Sequence, residues 1–365
     1  MEVLELTLGA LPKSEFWRDR RVLLTGHTGF KGAWAALWLH RLGAEVTGFA
    51  LPANSEPSLF EAAQIDGVLD SRIGDLRNPS EVRDAVQASA PEIVLHFAAQ
   101  PIVRRAVADP IETLASNVMG TAHLLDALRD SVGLRAILVV TSDKVYRNDG
   151  SGVAFQEGDT LGGKDPYSAS KAAVELVTAS FRDTYFAKAG IAVGAARGGN
   201  VIGGGDFGAD RIVPDCVRAA LSGEALVLRD PEATRPWQHV LDCLSGYFLY
   251  AEALASAHAP PTSLNFGPPP DACPIPVREL AEVLLAAIAP ATPLIVRPDV
   301  GSIEMKALAV NSSAARTALD WGDPLSGPAG LTWTAEWYNA FSLGGDARAL
   351  TLDQIRSYPE RATAL

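Results

Sequence analysis

The chain has 365 residues, 48% of them hydrophobic and 20% charged, which is enough for one large α/β unit or two domains that share a cleft. Its formal net charge is -12 and no run of Lys and Arg forms a basic patch, so nucleic acid and anionic membrane surfaces are not expected partners. No stretch of about 18 apolar residues occurs, which argues against a membrane span.

The N-terminal stretch "MEVLELTLGALPKSEFW" carries acids early and lacks a basic region, so a signal peptide is not expected. Three cysteines, Cys216, Cys243 and Cys273, are too few and too far apart for a disulfide framework or a zinc site. These features predict a cytoplasmic protein with reduced thiols and no metal.

From Arg21 to about Arg197, short β-rich runs alternate with stretches of helical periodicity. In chain order the runs are "RVLLTG", "AEVTGFA", "SRIGD", "EIVLHFAA", "AILVVTS" and "IAVGAAR". This alternation predicts an α/β protein with a Rossmann-type, doubly wound parallel sheet. We assign residues 1–199 to a dinucleotide-binding domain, with 1–20 as an N-terminal extension. Ligands of such sheets bind beyond the C-terminal strand ends.

The composition changes at the glycine-rich "NVIGGGDFGADR", after which prolines separate shorter elements. We assign residues 200–342 to a smaller substrate-binding lobe that is partly interwoven with the first domain. Its predicted elements are helices near 211–222, 240–256, 277–289 and 327–342 and a strand near 225–229. Residues 343–365 are expected to be a polar tail.

The turn "LLTGHTGFKG" after the first strand spaces Gly26, Gly29 and Gly32 three residues apart at the start of a helix. Such glycines allow a tight turn, let the backbone approach a pyrophosphate and let the helix pack closely on the strand. A purely structural turn is the alternative. The position on the first strand favours a nucleotide site, to which we also assign the intervening Thr28, Phe30 and Lys31.

An acid that binds the cofactor ribose is expected about 20 residues after the last glycine. That region reads "FALPANSEP" and has no acid before Glu56, but it has no Arg or Lys for a 2′-phosphate either. NAD is therefore favoured over NADP without being separated from it. After the third strand, Asp75 and the neighbouring Leu76 are candidates to contact the adenine, and a loop cap is an equal alternative for Asp75.

Within "DPYSASKAAVELV", Tyr167 and Lys171 lie four residues apart, on one face of a predicted helix. A nearby cation favours phenolate and lowers a tyrosine pKa from about 10 toward neutrality, as a base for an alcohol proton requires. Ser142, at the tip of the fifth strand, could donate a hydrogen bond to the same substrate oxygen. With the glycine turn, these residues predict a nicotinamide-dependent oxidoreductase site.

At this point the sequence resembles the extended short-chain dehydrogenase/reductase family, and within it the sugar-nucleotide 4,6-dehydratases. The motifs that carry the resemblance extend over about residues 15–341 and include "GHTGFKGAW", "HFAAQPIVR", "NVMGT", "TSDKVY", "GGKDPYSASK", "GNVIGGGDF", "RPWQHVLDCLSGY" and "LNFGP". The resemblance implies NAD as cofactor, CDP-glucose as substrate and a place in deoxysugar synthesis. It also implies a homodimer, possibly a homotetramer, paired through helices near 110–130 and 166–188.

The resemblance further implies that Tyr167 removes the 4-hydroxyl proton of the sugar while hydride leaves C4. Lys144 then takes the C5 proton, Asp143 protonates the departing 6-hydroxyl, and hydride returns to C6. Lys144 must be neutral for this, so we expect its pKa to fall from about 10.4, and Asp143 must hold a proton. We therefore expect no tight salt bridge between them in the substrate complex, although a structural ion pair is the alternative.

Other positions of the family pattern imply further contacts. Ala98, Ala99 and Gln100, beyond the fourth strand, would lie against the nicotinamide half of the cofactor. Asn117, within a predicted helix, is grouped with them in a structural or water-mediated role.

On the substrate side, Asn200 would face the diphosphate or the sugar. Arg211 and Arg235 would contact phosphate oxygens, which the forked guanidinium group matches. His239 is placed beside them, although a core position is the commoner role for such a histidine.

Two alternatives stay open. One is a sugar-nucleotide 4-epimerase or a dehydratase for another nucleotide, and the other is a catalytically silent NAD-binding protein. Asp143 and Lys144 argue against an epimerase, which has no elimination to catalyse, and the Ser142, Tyr167 and Lys171 set argues against a silent binder.

Overall fold

The computed structural model describes residues 10–148, 150, 152–256, 260–269, 272–297 and 308–363. Its strands in chain order are β1 (Arg21–Thr25), β2 (Glu45–Ala50), β3 (Asp70–Ile73), β4 (Ile93–His96), β5 (Ala136–Val140), β6 (Ala192–Gly198), β7 (Val201–Ile202), β8 (Leu226–Leu228), β9 (Thr234–Arg235), β10 (Gln238–His239), β11 (Ser263–Phe266), β12 (Ile275–Pro276) and β13 (Leu294–Val296).

The α-helices are α1 (Ser14–Trp17), α2 (Phe30–Arg41), α3 (Leu59–Ala62), α4 (Pro79–Ser89), α5 (Val103–Ala108), α6 (Pro110–Leu114), α7 (Gly120–Leu128), α8 (Pro166–Phe181), α9 (Ile212–Ser222), α10 (Val240–Leu254), α11 (Val277–Ile288), α12 (Ser313–Leu319), α13 (Pro328–Ser342) and α14 (Ala347–Thr363). A π-helical segment, Ala115–Met119, joins α6 to α7. Across the described ranges, no helix combines the length and the apolar character needed to cross a bilayer.

A seven-stranded parallel sheet in the order β11-β6-β5-β4-β1-β2-β3 organises the fold. Successive residues of a strand point to opposite faces, and each face has its own hydrophobic cluster. Leu24 and Leu138 belong to the cluster that includes α2 and α10, whereas Leu23 and Ile137 belong to the one that includes α4, α7 and α8. The prediction of a doubly wound α/β sheet is confirmed, as are its six predicted strands.

The seventh strand, β11, lies in the part of the chain assigned to the second lobe and was not predicted. It pairs in parallel with β6, from Ser263 opposite Ala195 to Phe266 opposite Gly198. The helices predicted near 211–222, 240–256, 277–289 and 327–342 are present as α9, α10, α11 and α13. The short strand predicted near 225–229 is β8.

The C-terminal segment differs from the polar tail that the sequence predicted. Residues Ala347–Thr363 form α14, in which Ala347, Thr351, Ile355 and Tyr358 are buried. These positions are three or four residues apart and so share one helix face. The Tyr358 ring packs edge-on against Trp38 of α2, with 5.6 Å between centroids. The segment is therefore part of the fold.

Candidate active site

Ser142, Asp143 and Lys144 follow directly after β5, where the chain turns. Asp143–Val145 forms a single 3₁₀ turn, and the Ser142 hydroxyl caps it by accepting the Lys144 N–H at 3.2 Å. Asp143 is completely buried, and Ser142 donates to its Oδ1 at 3.0 Å. The three side chains thus lie at the carboxyl edge of a parallel sheet, where ligands of such folds bind.

Lys144 contacts Asp143 in this structure, its Nζ lying 3.0 Å from Asp143 Oδ1 and 3.5 Å from Asn200 Oδ1. Burial works to lower the pKa of Lys144, but the charge of Asp143 and the nearby Tyr167 outweigh it, so the pKa is raised. This is opposite to the lowered pKa expected from the sequence. The expectation for the substrate complex concerns a different state and stays a prediction.

Tyr167 and Lys171 lie on the first turns of α8, which the Asp165 carboxylate caps by accepting the Ser168 N–H. Both side chains are buried. Burial raises the pKa of Tyr167, opposed by the charge of Lys144 and a hydrogen bond with Ser142. These two interactions place the phenol among the residues that follow β5.

The Lys171 ammonium donates to the Val140 carbonyl at 3.1 Å. Burial, together with the charge of Lys31, lowers its pKa to about 7. Without bound ligands, Lys171 therefore carries its positive charge only part of the time at neutral pH, although the sequence predicted a cation at this position beside Tyr167.

The glycine turn has the shape of a dinucleotide cradle. Gly26 adopts a left-handed φ of +80°, and a Cβ on it would lie 2.8 Å from the Ala98 nitrogen. A Cβ on Gly32 would lie 2.0 Å from the Gly26 carbonyl oxygen. Helix α2 begins at Phe30 and has no side-chain cap, so its first N–H groups can bind a diphosphate. These features fit the diphosphate of NAD.

The neighbours of the turn fix its position. Thr28 donates to the Leu51 carbonyl at 2.8 Å, at the end of β2. The Lys31 ammonium lies 5.6 Å from the centre of the Tyr247 ring on α10.

Asp75 and Leu76 follow β3. Two contacts from Arg77 satisfy the Asp75 carboxylate, an N–H bond of 2.9 Å and a guanidinium contact of 2.6 Å, and the side-chain hydrogen bond lowers its pKa. This geometry is that of the loop cap considered as the alternative. Leu76 is buried and packs closely against Gly120 of α7, where an added Cβ would lie only 2.9 Å from the Leu76 Cβ.

Ala98, Ala99 and Gln100 follow β4, and the backbone of Ala98 lies next to Gly26 of the glycine turn. The side-chain amide of Gln100 forms hydrogen bonds with the Ile102 backbone and the Thr113 hydroxyl. The backbone N–H of Gln100 donates to Asn117 Oδ1 at 2.7 Å. Asn117 in turn donates to Gln100 O and to Ser170 on α8. Its amide therefore ties the end of β4 to the tyrosine helix, which agrees with the structural role considered for it.

On the substrate side, Arg211 forms an ion pair of 3.0 Å with Asp206 and lies close enough to Tyr167 for their charges to interact. Arg235 lies close enough to Lys144 for its charge to act on that ammonium group, so it is near the triplet Ser142–Asp143–Lys144. The structure thus brings Asn200, Arg211 and Arg235 around Ser142–Lys144 and Tyr167.

His239 is not among them. It is completely buried between Trp34 and Trp333, and its Nδ1 accepts the Leu241 N–H at the start of α10. Burial lowers its pKa to about 3, so it is neutral. Its assignment to the substrate is corrected to a core position, because it caps α10.

Sequence reasoning missed two charged residues behind the triplet. Arg197 and Glu175 form a buried ion pair of 2.9 Å. The signal was available, because an arginine inside the apolar run "IAVGAAR" needs a buried partner.

A sequence model of the NAD dependent epimerase/dehydratase family matches residues 22–267. The chain belongs to this family. Among curated relatives, CDP-glucose 4,6-dehydratase of Salmonella typhimurium is 44% identical over 259 residues, covering 69% of this chain and 72% of the relative. dTDP-glucose 4,6-dehydratase of Xanthomonas campestris pv. campestris is 31% identical over 231 residues, 60% of this chain and 64% of the relative.

Solved structures agree with this fold. An epimerase from Methanothermobacter thermautotrophicus superposes with a TM-score of 0.76 at 21% identity, covering 90% of this chain and 95% of the other. A double mutant of dTDP-glucose 4,6-dehydratase from Streptomyces venezuelae, with NAD bound, gives a TM-score of 0.74 at 24% identity, covering 89% and 98%.

Proposed function

We propose that the protein is an NAD-dependent CDP-glucose 4,6-dehydratase, a hydro-lyase that converts CDP-glucose to CDP-4-keto-6-deoxyglucose. The observation that carries this proposal is the charged Asp143–Lys144 pair, which lies beside Tyr167 where a 4-epimerase needs no charge. The 44% identity to the Salmonella enzyme over most of both chains supports the nucleotide.

Each residue of the site has a task in this reaction. Tyr167 takes the 4-hydroxyl proton, and Ser142 donates a hydrogen bond to the same oxygen. The resulting 4-ketone acidifies C5, from which Lys144 takes a proton, and Asp143 gives a proton to the 6-hydroxyl as it leaves as water. Once hydride has returned to C6, Lys144 gives a proton back to C5. The proton that Tyr167 took from the 4-hydroxyl replaces the one that Asp143 lost, so both acid and base are restored. NAD, when bound at the glycine turn, supplies a reversible hydride acceptor, so no external oxidant is consumed.

The resting contact between Lys144 and Asp143 is compatible with these tasks. Transfer of one proton along their 3.0 Å hydrogen bond converts ammonium and carboxylate into the neutral amine and carboxylic acid that the elimination needs. The net charge of the pair does not change. Substrate that excludes water favours the neutral pair, because desolvation disfavours both charges, and the charge of Arg235 also disfavours the Lys144 cation.

Asn200, Arg211 and Arg235 are the proposed contacts of the sugar nucleotide. Arg211 is paired with Asp206, so a diphosphate would have to share or displace that carboxylate. Arg forks match phosphate oxygens with two parallel hydrogen bonds, which favours such an exchange.

The 4-epimerase alternative draws on the same fold, since several of its structural neighbours are epimerases. It is the weaker proposal because epimerisation neither removes a proton from C5 nor expels the 6-hydroxyl. An epimerase would therefore have no use for the Asp143–Lys144 pair. A silent binder is weaker still, given the buried Tyr167 and Lys171.

We further propose a homodimer. Helices α6 and α8 expose apolar side chains, Ile111 being 74% and Leu176 64% exposed. Exposed apolar patches favour an interface. A cytoplasmic location is proposed from the free thiols Cys216, Cys243 and Cys273.

Incubation of the purified protein with CDP-glucose tests the function, with UDP- and dTDP-glucose in parallel. We expect the alkali-induced absorbance of a 4-keto-6-deoxy sugar with CDP-glucose, and deuterium at C5 when the reaction runs in D₂O. Replacement of the base, Lys144→Ala, should reduce the rate about 10²- to 10⁴-fold. The exposed Lys188→Ala is the matched control and should behave as wild type.

Product from another nucleotide would retain the mechanism and change the substrate. A C4-inverted sugar without deuterium at C5 would establish the epimerase instead. No reaction with any of the three nucleotides, in protein that binds NAD, would refute the dehydratase.

A further inference from the structure

The Arg197–Glu175 pair lies behind the active site and has no task in the proposed reaction. Arg197 of β6 binds Glu175 of α8 through two parallel hydrogen bonds of 2.9 Å, and the side chains are only 5% and 6% exposed. Burial works against the charge of Arg197, but the bonds to Glu175 raise its pKa. Buried ion pairs rarely add stability over apolar residues of similar size, so stability alone does not explain why a charged pair occupies this position.

The pair holds both ends of the segment that carries the triplet. The Thr141 hydroxyl, one residue before Ser142, donates to Glu175 Oε1 at 2.6 Å. Two residues after Lys144, the Tyr146 hydroxyl accepts from Arg197 Nη1 at 2.9 Å. Each end of the short catalytic segment is thus bonded to a different member of one ion pair.

The same pair is attached to the helix of the catalytic tyrosine. Glu175 lies one turn after Lys171 on α8, and Lys171 itself bonds the Val140 carbonyl just before the segment. On the far side, Tyr146 donates to Asn265 Oδ1 of β11 at 2.6 Å. Strands β5, β6 and β11 and helix α8 therefore meet at this network.

We propose that Arg197 and Glu175 are positioning residues that hold Asp143 and Lys144 in register with Tyr167. The inference rests on the proposed function, because only a dehydratase needs a tyrosine base at C4 and a separate acid–base pair at C5 and C6 to act on one bound sugar. Tyr167 acts at C4, whereas Asp143 and Lys144 act at C6 and C5. A displacement of about 1 Å in such a constellation can reduce a rate by about 10²-fold.

Removal of Arg197 or Glu175 alone would leave an unpaired buried charge at a cost of about 3–5 kcal/mol, which could unfold the protein. The test therefore uses Tyr146→Phe and Thr141→Val, each of which deletes one hydroxyl and keeps the shape. Tyr358→Phe is the matched control, because it deletes a buried phenol hydroxyl that donates to Asp242 on α10, outside the Arg197–Glu175 network.

With CDP-glucose, we expect both test variants to form product about 10- to 100-fold more slowly than wild type. Oxidation at C4 should be less affected than elimination, so reduced nicotinamide should accumulate during turnover, with KM unchanged. The control should show wild-type rates and no accumulation. A loss of stability alone would not separate the two half-reactions, so accumulation distinguishes positioning from a merely structural role.

Crystal structures of the variants provide a readout that needs no activity. Displacement of Lys144 Nζ away from Asp143 and Tyr167 in Tyr146→Phe supports the proposal. Wild-type kinetics, or an undisplaced Lys144, overturns it. Failure of wild-type protein to act on any sugar nucleotide would refute the proposed function, and the position of Lys144 in the variant would still decide the positioning role.

Discussion

Gly32→Ala should weaken NAD binding because the new methyl group has no room. Its Cβ would lie 2.0 Å from the Gly26 carbonyl oxygen and 2.7 Å from His27 Cα, both backbone atoms that cannot rotate away. Relief requires α2 to move back by about 1 Å toward normal contact distances. If two N–H bonds to the diphosphate are lost, at about 1.5–3 kcal/mol each, NAD affinity falls roughly 10²- to 10⁴-fold. Overpacking should also destabilise the fold by about 1–3 kcal/mol.

Gly29→Ala provides the matched comparison in the same turn. Its Cβ would lie 3.4 Å from the Gly26 oxygen, an ordinary contact, so the free energy of unfolding should stay within about 0.5 kcal/mol of wild type. Its NAD affinity should fall, since the methyl group would stand at the N-cap of α2. Calorimetric titration with NAD and urea unfolding measure the two quantities. A folded Gly32→Ala protein with wild-type affinity would refute the placement of the diphosphate at this helix.

Two further predictions concern stability and assembly. Burial raises the pKa of Glu252 to about 7, so its contribution to stability is present below its ordinary pKa and is lost as the pH rises through 7. Between about pH 4 and about pH 8, the free energy of unfolding of wild type should fall by about 3 kcal/mol more than that of Glu252→Gln, as measured by urea unfolding. The same pH dependence in both proteins would contradict this prediction. Leu176→Asp should yield monomers in sedimentation, whereas Val132→Asp, at a still more exposed apolar residue outside α8, should not; dimers of both would argue against the α8 interface.

The central sheet was predictable because most of its first six strands are short apolar runs that alternate along the chain with stretches of helical periodicity. β11 was not predictable, because a segment of four residues forms a strand only through its pairing with β6, which lies far away in the chain. α14 was missed for another reason: its buried positions, such as Ile355 and Tyr358, are interspersed with polar and charged residues, and Pro359 lies inside the helix.

The site was predictable as a set of residues but less so in its electrostatics. Spacing alone placed Tyr167 and Lys171 on one helix face, and it placed Ser142 at a strand end. The direction of the Lys144 pKa depends on a 3.0 Å contact, which no spacing can give. Arg197 and Glu175 meet only once the helix packs on the sheet, so their pairing also required the structure.

The return of β11 to the edge of β6 has a consequence for how the protein is made. During synthesis, β6 leaves the ribosome well before its outer partner, and residues 199–262 must follow before Ser263 can pair. Until then the backbone N–H and C=O groups of β6 form an open edge that can template association with other chains. A gene cut after residue 199 would leave that edge permanently bare, so the nucleotide-binding half should aggregate when expressed without the rest.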